Sequence, residues 1–268
     1  IWKVSGMMIG IYTGGTANLA AIARGLNVDQ ELFILTHTVE LAIGALILLF
    51  LITAAKPLFG LFMKPYKSNG NQEQPDLNVG EFESYEGFFI RSSISDILKA
   101  FGIALVIFGA GFGLMTFFEG DTKFTVGVLT VTTLGILVSL VPSVNKMKWS
   151  FQLGMYFIYI FCMIVASQAD IVSLFNPESR DLLINMFLFI ALVIVGSLLV
   201  HSLLSWLFGI SVDDYVITST ALANSPPFVP VVAAAMRNKE VVIPGMIIGV
   251  IGYAIGNYLG VAIAYLLR

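Results

Sequence analysis

Ser219-Thr220-Ala221-Leu222-Ala223-Asn224-Ser225-Pro226-Pro227 is the stretch on which the fold turns. It sits in the middle of segment 212–237, which is long and apolar enough to enter a bilayer, yet it carries two consecutive prolines that lack an amide and cannot sit inside a helix. The segment therefore reads as two short helical pieces around a break at Asn224-Ser225-Pro226-Pro227. Each piece has about 10 residues and, at about 1.5 Å per residue, reaches only the bilayer midplane. Segment 1–25 is built the same way around Thr13-Gly14-Gly15-Thr16. An unpaired amide in hydrocarbon costs several kcal/mol, so irregular backbone at that depth is tolerated only where it lines a cavity or is buried by protein. Both segments are expected to be discontinuous helices or re-entrant hairpins, with their breaks at the ligand site.

The rest of the chain supplies the membrane context. Hydrophobic residues make up 57% of it, charged residues only 12%, and the mean hydropathy is +0.91, which excludes a soluble globular domain with a charged surface. Apolar runs of about 20 residues, the length that crosses the hydrocarbon, occur at roughly 31–56, 95–118, 124–145, 149–169, 181–208 and 241–267. The net charge of −3 gives no footprint for nucleic acid. The single cysteine, Cys162, precludes an intrachain disulfide. The chain opens at Ile1 in an apolar stretch without the architecture of a signal peptide, and reads as a fragment of a longer transporter.

Loop charge sets the orientation. Lys56, Lys64, Lys67, Arg91, Lys99, Lys146 and Lys148 mark cytoplasmic connections, whereas the 119–123 turn holds Lys123 beside Glu119 and Asp121. Arg237 and Lys239 then also face the cytoplasm, so segment 212–237 dips in from that side and returns. Segment 1–25 enters from the opposite face, with Arg24 the one charge against it. Break, tight turn and long helix thus occur twice in opposite senses, at 1–56 and 212–267. The copies resemble each other weakly, with Ala20-Ala21-Ile22-Ala23-Arg24-Gly25-Leu26-Asn27 set against Val232-Ala233-Ala234-Ala235-Met236-Arg237-Asn238-Lys239. The predicted fold is an all-α polytopic membrane protein, an inverted-repeat transporter-like fold with two broken or re-entrant helices and about six full spans. It divides into residues 1–63 (the end of a first repeat), 64–92 (a polar cytoplasmic linker with an acidic run, Glu81 to Glu86) and 93–268 (a second repeat).

Candidate binding residues cluster at the breaks. Gly14 and Gly15 permit close backbone approach, while Thr13, Thr16, Asn18, Ser219, Thr220, Asn224 and Ser225 bring uncharged donors and acceptors. Half-helix N-termini at Thr16 and Pro227 would aim partial positive charge at the midplane, where an anionic group suits them, and freed carbonyls suit a sodium ion. Glu40 is an acid deep in an apolar span, with His37 one turn before it and Thr36 and Gly44 on the same side, a candidate for proton or cation coupling. His201 shares a stripe with Ser197 and Ser205 that suits helix-to-helix hydrogen bonding. Gly249, Gly252, Gly256 and Gly260 form a packing face on the last helix, and Gly102, Gly109 and Gly113 read alike; Tyr253 and Asn257 adjoin that face and are expected to line the cavity opposite the second break, with Asn257 a candidate binding residue. Asp213 and Asp214 read as a helix-start cap. No constellation of an enzyme is present.

The stretches Tyr12-Thr13-Gly14-Gly15-Thr16-Ala17-Asn18-Leu19-Ala20-Ala21-Ile22-Ala23, Val165-Ala166-Ser167-Gln168-Ala169-Asp170, Ser219 to Pro226, Val242-Ile243-Pro244-Gly245 and Gly252-Tyr253-Ala254-Ile255-Gly256-Asn257-Tyr258-Leu259-Gly260 resemble the YjcL-like membrane family, domain of unknown function 819. That family is itself similar to the superfamily of cation:proton antiporters and sodium-coupled anion transporters. It typically places glycines before the proline of the second break, where this chain has Asn224-Ser225-Pro226. The resemblance implies a transporter-like fold with broken helices and inverted halves, and names no substrate. The expected function is secondary transport of a small organic anion, coupled to sodium or protons. Cation/proton exchange through Glu40 and a non-transporting sensor or interaction role are the alternatives. Expected partners are the lipid bilayer, a small organic anion or cation and a second copy in a homodimer, with no nucleic acid. A sodium ion is the one cofactor the breaks suit, and a bacterial cytoplasmic membrane is the expected location.

Overall fold

The computed structural model describes residues 1–68, 88, 90–120, 122–147, 149–167 and 180–268; these are nearly all helical, and the described residues contain no strand beyond one bridge between Lys64 and Ser211. The acidic run from Glu81 to Glu86, the Gln168-Ala169-Asp170 motif and the side chain of Cys162 lie outside the described residues.

Five helices are long and apolar enough to cross a membrane: α3 (Gln30–Phe59), α4 (Arg91–Met115), α5 (Thr122–Ser139), α7 (Arg180–Leu207) and α10 (Val242–Leu266). The sixth predicted span is α6 (Ser150–Ser167), an apolar helix of 18 residues. One end and one turn differ from expectation, each beside a proline. Helix α5 stops at Ser139, short of the expected 145, and a separate one-turn helix opens at Pro142, because the residue before a proline is pushed to extended backbone, as Val141 is (φ −72°, ψ 122°). Within α3, residues Leu51–Ala55 form a π turn. The wider turn precedes Pro57, whose ring has no amide to offer the carbonyl one turn back.

The two broken segments are re-entrant hairpins. In hairpin 1, α1 (Trp2–Gly14) and α2 (Thr16–Gly25) fold back on each other, so Gly10 lies against Ile22 and Lys3 Nζ donates to the Asn27 carbonyl at 2.7 Å. In hairpin 2, α8 (Val212–Ala223) turns into a 3-10 turn (Pro226–Phe228) and α9 (Val229–Ala235), and Asn238 Nδ2 returns to Asp213 at 2.7 Å. The hairpins match residue for residue. Gly15 and Ser225, each 210 positions apart in the pairing, both turn the tip at positive φ (84° and 87°). Both hairpins close with a Schellman motif. Asn27 (φ 48°) follows α2, with Asn27 N donating to Arg24 O and Val28 N to Ala23 O. Arg237 (φ 57°) follows α9, with Arg237 N donating to Ala234 O and Asn238 N to Ala233 O. The repeat is therefore aligned two residues away from the sequence match proposed above: Asn27 corresponds to Arg237 and not to Lys239. Alanine-rich segments slide against each other without penalty in a sequence comparison, whereas the cap fixes the register.

Helix α10 records how the hairpins are placed. Its Gly245 packs against Val229 and Ile217 in the body of hairpin 2, Gly249 against Pro226 at that tip, Gly252 and Gly256 against Thr13 at the tip of hairpin 1, and Gly260 against Gly6 and Ile22 in its body. One straight helix thus passes hairpin 2 from base to tip, then hairpin 1 from tip to base, and the hairpins enter from opposite ends. Helix α3 runs the other way. Val39 and Ile43 join the apolar core with hairpin 1, and Leu51, Ala55 and Phe59 join a second core with hairpin 2. The opposed arrangement expected from loop charge is what these contacts require.

The other helices brace this centre. Thr125 at the start of α5 donates to the Gly25 carbonyl at 2.6 Å and meets the Tyr265 hydroxyl at 3.1 Å, tying α5, the base of hairpin 1 and the end of α10 together. At the other end, Val212 N donates to the Lys64 carbonyl at 3.0 Å. Helix α4 packs mainly on α5, and its Gly102, Gly109 and Gly113 meet nothing; of its glycines, Gly111 is the one set against α5, at Val131. The expectation that those three glycines serve helix packing does not hold for the described residues, since small-residue spacing is equally compatible with a face turned outward.

Candidate functional site

The two tips touch where their irregular backbone meets. Gly15 is placed so that a side chain there would fall on Ser225 Oγ, with the Tyr253 hydroxyl 3.6 Å from the same point. This close approach, together with φ 84°, accounts for glycine at 15. Gly252 is the second tight point, because a β-carbon there would collide with the Thr13 carbonyl.

Two asparagines fasten the tips to the long helices. Asn18, buried on the first turn of α2, donates from Nδ2 to the Tyr253 carbonyl of α10 at 3.2 Å. Asn224, closing α8, donates from Nδ2 to the Gly44 carbonyl of α3 at 3.0 Å. Each hairpin therefore clasps the long helix that belongs to the other unit. The asparagines are not equivalents in the repeat: Asn224 takes the place of Gly14, while Asn18 takes the place of Phe228.

The surroundings of the tips differ in chemistry. On the hairpin 1 side, Thr16 and Ala17 begin a helix whose first turn holds no acid, so its amide ends are not neutralised by a side chain of that turn. On the hairpin 2 side, Pro226 and Pro227 remove amides, and Asn224 Oδ1 is buried with no hydrogen-bond partner among the described residues. Glu40 lies alongside. Its Oε1 and Asn224 Nδ2 are 3.2 and 3.9 Å from one point above Gly44, and the Tyr12 hydroxyl on α1 is buried and unpartnered among the described residues. His37 Nδ1 is 3.8 Å from Glu40 Oε2, and its ring stacks on Phe33. A buried carboxyl group and the Asn224 side chain thus flank Gly44, beside the amide-rich start of α2.

The remaining predicted residues take other places. Thr13 donates its hydroxyl to Ile9 O of its own helix at 2.7 Å while its carbonyl meets Gly252; Gly14 is buried beside Asn18. Thr220 bonds the Val216 carbonyl at 2.8 Å, and Ser219 meets His201 Nδ1 of α7 at 3.0 Å. His201 is thus used between helices, as its stripe suggested. Asn257 donates to Thr132 of α5 at 2.9 Å and is directed away from the second break, because α5 occupies that side of α10. The cap of α8 is Ser211, whose hydroxyl accepts from Asp214 N and donates to its carboxylate, whereas Asp213 is drawn into an ion pair with Lys56 at 2.9 Å. Sequence reasoning did not single out Tyr12 for the site. It stands one residue before the quoted break, and the burial of its hydroxyl depends on how the hairpin is docked.

A family model described as "Protein of unknown function (DUF819)" matches residues 1–268, and the chain belongs to that family. It is 26% identical over 270 residues to the "Uncharacterized membrane protein YjcL" of Bacillus subtilis (strain 168), covering 96% of this chain and 66% of that relative's length. No solved structure matches. The chain is an integral membrane protein with several apolar spanning helices.

Proposed function

We propose that this DUF819 protein is a secondary transporter that moves a small organic anion together with a sodium ion or a proton across a bacterial cytoplasmic membrane, with the ligands held where the hairpin tips meet. The observation that carries the reading is the meeting of two re-entrant tips from opposite ends of the bundle, each clasping the other unit's long helix. Broken helices that converge at the midplane are how a bilayer-spanning protein offers backbone amides and carbonyls to a solute without exposing them to lipid. The amide ends at Thr16 and Ala17 suit a carboxylate, and the buried Glu40 with the unpartnered Asn224 Oδ1 suits a cation. Movement of the hairpins with their bracing helices against the remainder would open the site to each side in turn.

The test is uptake by proteoliposomes under an imposed sodium or proton gradient, with a panel of small mono-, di- and tricarboxylates. One carboxylate is expected to accumulate only with a gradient, and Asn18→Leu to abolish that uptake in a protein that still elutes as folded. Equal uptake by the variant, or no gradient-dependent uptake of any carboxylate, contradicts the reading.

Glu40, buried beside Asn224 and His37, favours a second reading, cation/proton exchange without an organic substrate. Under it, Glu40→Gln removes the pH dependence of cation-driven proton movement in vesicles. An unaltered profile rejects exchange at this residue.

A further inference from the structure

A pocket of about 400 Å³ opens at the base of hairpin 2, far along the hairpin from the tips, and has no part in the site described above. Its walls come from Lys56 at the end of α3, from Tyr66 and Ser68 beyond it, and from both flanks of the hairpin, with Asp213 on one and Arg237 and Lys239 on the other. The volume falls within the range of small-molecule sites.

The charges in this pocket are unevenly spent. Asp213 is held by Lys56 Nζ at 2.9 Å and Asn238 Nδ2 at 2.7 Å. Glu240 accepts from Tyr66 at 3.1 Å and from Ser68 at 2.5 Å. Both acids are thereby engaged, and the Tyr66 phenol is pushed up from its ordinary pKa, first by burial and then by the Glu240 carboxylate it bonds, so it stays a neutral ring held at the pocket wall. Arg237 and Lys239 are exposed and make no ion pair among the described residues. Arg237 also stands at φ 57°, where a helix cap ordinarily takes glycine or asparagine, so the turn itself gives no reason for an arginine.

We propose that this pocket binds a phosphate group carried by a small ligand of about mononucleotide size, the phosphate on Arg237 and Lys239 and a planar ring against Tyr66. A guanidinium beside an ammonium is a phosphate-binding pair, the first through fixed parallel donors and the second as a point charge. The pocket lies on the face that loop charge assigns to the cytoplasm, at the membrane edge, so a lipid headgroup offers the same chemistry. Because one wall belongs to α3 and the other to hairpin 2, a ligand there ties the hairpin to α3. That regulatory consequence rests on the transport reading, whereas binding does not.

The experiment is a titration of the full-length protein in phosphatidylcholine nanodiscs with AMP at low ionic strength, followed by calorimetry. Saturable binding is expected, weakened at least tenfold in R237Q/K239Q and unchanged in Asn18→Leu, which separates this site from the one at the tips. If the double variant is unstable, K239Q alone, on an exposed side chain, is expected to weaken AMP several-fold. A parallel arm replaces part of the lipid with phosphatidylglycerol and reads bound lipid by native mass spectrometry. Silence towards AMP with retention of phosphatidylglycerol that R237Q/K239Q loses assigns the phosphate to a headgroup and upholds the pocket. Binding of neither ligand, or binding that the variants leave unchanged, overturns it.

Discussion

Hairpin 1 and hairpin 2 share the same turns, the same tip conformation and the same terminal cap, yet almost none of the side chains at these positions agree. Gly15 stands opposite Ser225, Gly14 corresponds to Asn224, Asn27 to Arg237, and the exposed Lys3–Asn27 clasp corresponds to the buried Asp213 with Lys56 and Asn238. The bilayer demands only that the backbone be satisfied and the tips be buried by protein, and both sequences meet that demand. Side chains are free to diverge, and the divergence gives one amide-rich and one acceptor-rich tip. A site assembled from two unlike halves of a repeated frame can hold two unlike ligands, which is what coupled transport requires.

The largest asymmetry should appear at the tips. Gly15→Val forces a β-branched side chain into positive φ and onto Ser225, and should cost about 3 kcal/mol or more. Ser225→Gly should be neutral or stabilising by about 1 kcal/mol, since glycine adopts the same angles without a clash. Thermal unfolding in detergent measures both, and equal losses would mean the tips are not packed as described.

Next come the bases. Lys56→Met leaves the carboxylate of Asp213, 3% exposed, buried without its cation, and should cost roughly 3 kcal/mol. Lys3→Met removes one exposed bond to a carbonyl and should cost about 1 kcal/mol or less. Restoring stability with Asp213→Asn in the Lys56→Met background would confirm that the unpaired charge is the cause; if that double variant is less stable than Lys56→Met alone, the pair is not what holds the base.

The smallest difference is expected at the caps. Arg237→Gly should gain about 1 kcal/mol and Asn27→Gly only a few tenths, because asparagine already tolerates the left-handed region and arginine does not. A loss at Arg237 in the absence of ligand would show that its side chain contributes packing that the exposed position does not suggest.

The breaks were legible in the sequence because their signals are covalent: paired prolines have no amides, and paired glycines have no β-carbons. Opposed entry followed from lysines and arginines in short loops. The register of the repeat was not legible, since Arg237 gives no compositional hint that it occupies the place of Asn27. Glu40 was recognisable as an acid in an apolar span, but its neighbour Asn224 comes from far along the chain, and only docking brings them together. Asn257 fell on the expected face of α10 and still went to Thr132, because which helix covers that face is a tertiary fact. Gly102, Gly109 and Gly113 mark the same limit: close spacing of small residues permits packing without providing a partner.

The most direct test of a two-pole site is the thermal stability of the full-length protein titrated with sodium against potassium, with and without the carboxylate panel, in the wild type, Asn18→Leu, Asn224→Leu and Asn257→Leu. The account predicts that the wild type and Asn257→Leu are stabilised by sodium, or by a change of pH where the proton is the coupling ion, and further by one carboxylate. Asn18→Leu should lose the carboxylate increment and Asn224→Leu the cation increment. Full responses in both tip variants, or their loss in Asn257→Leu alone, would contradict it.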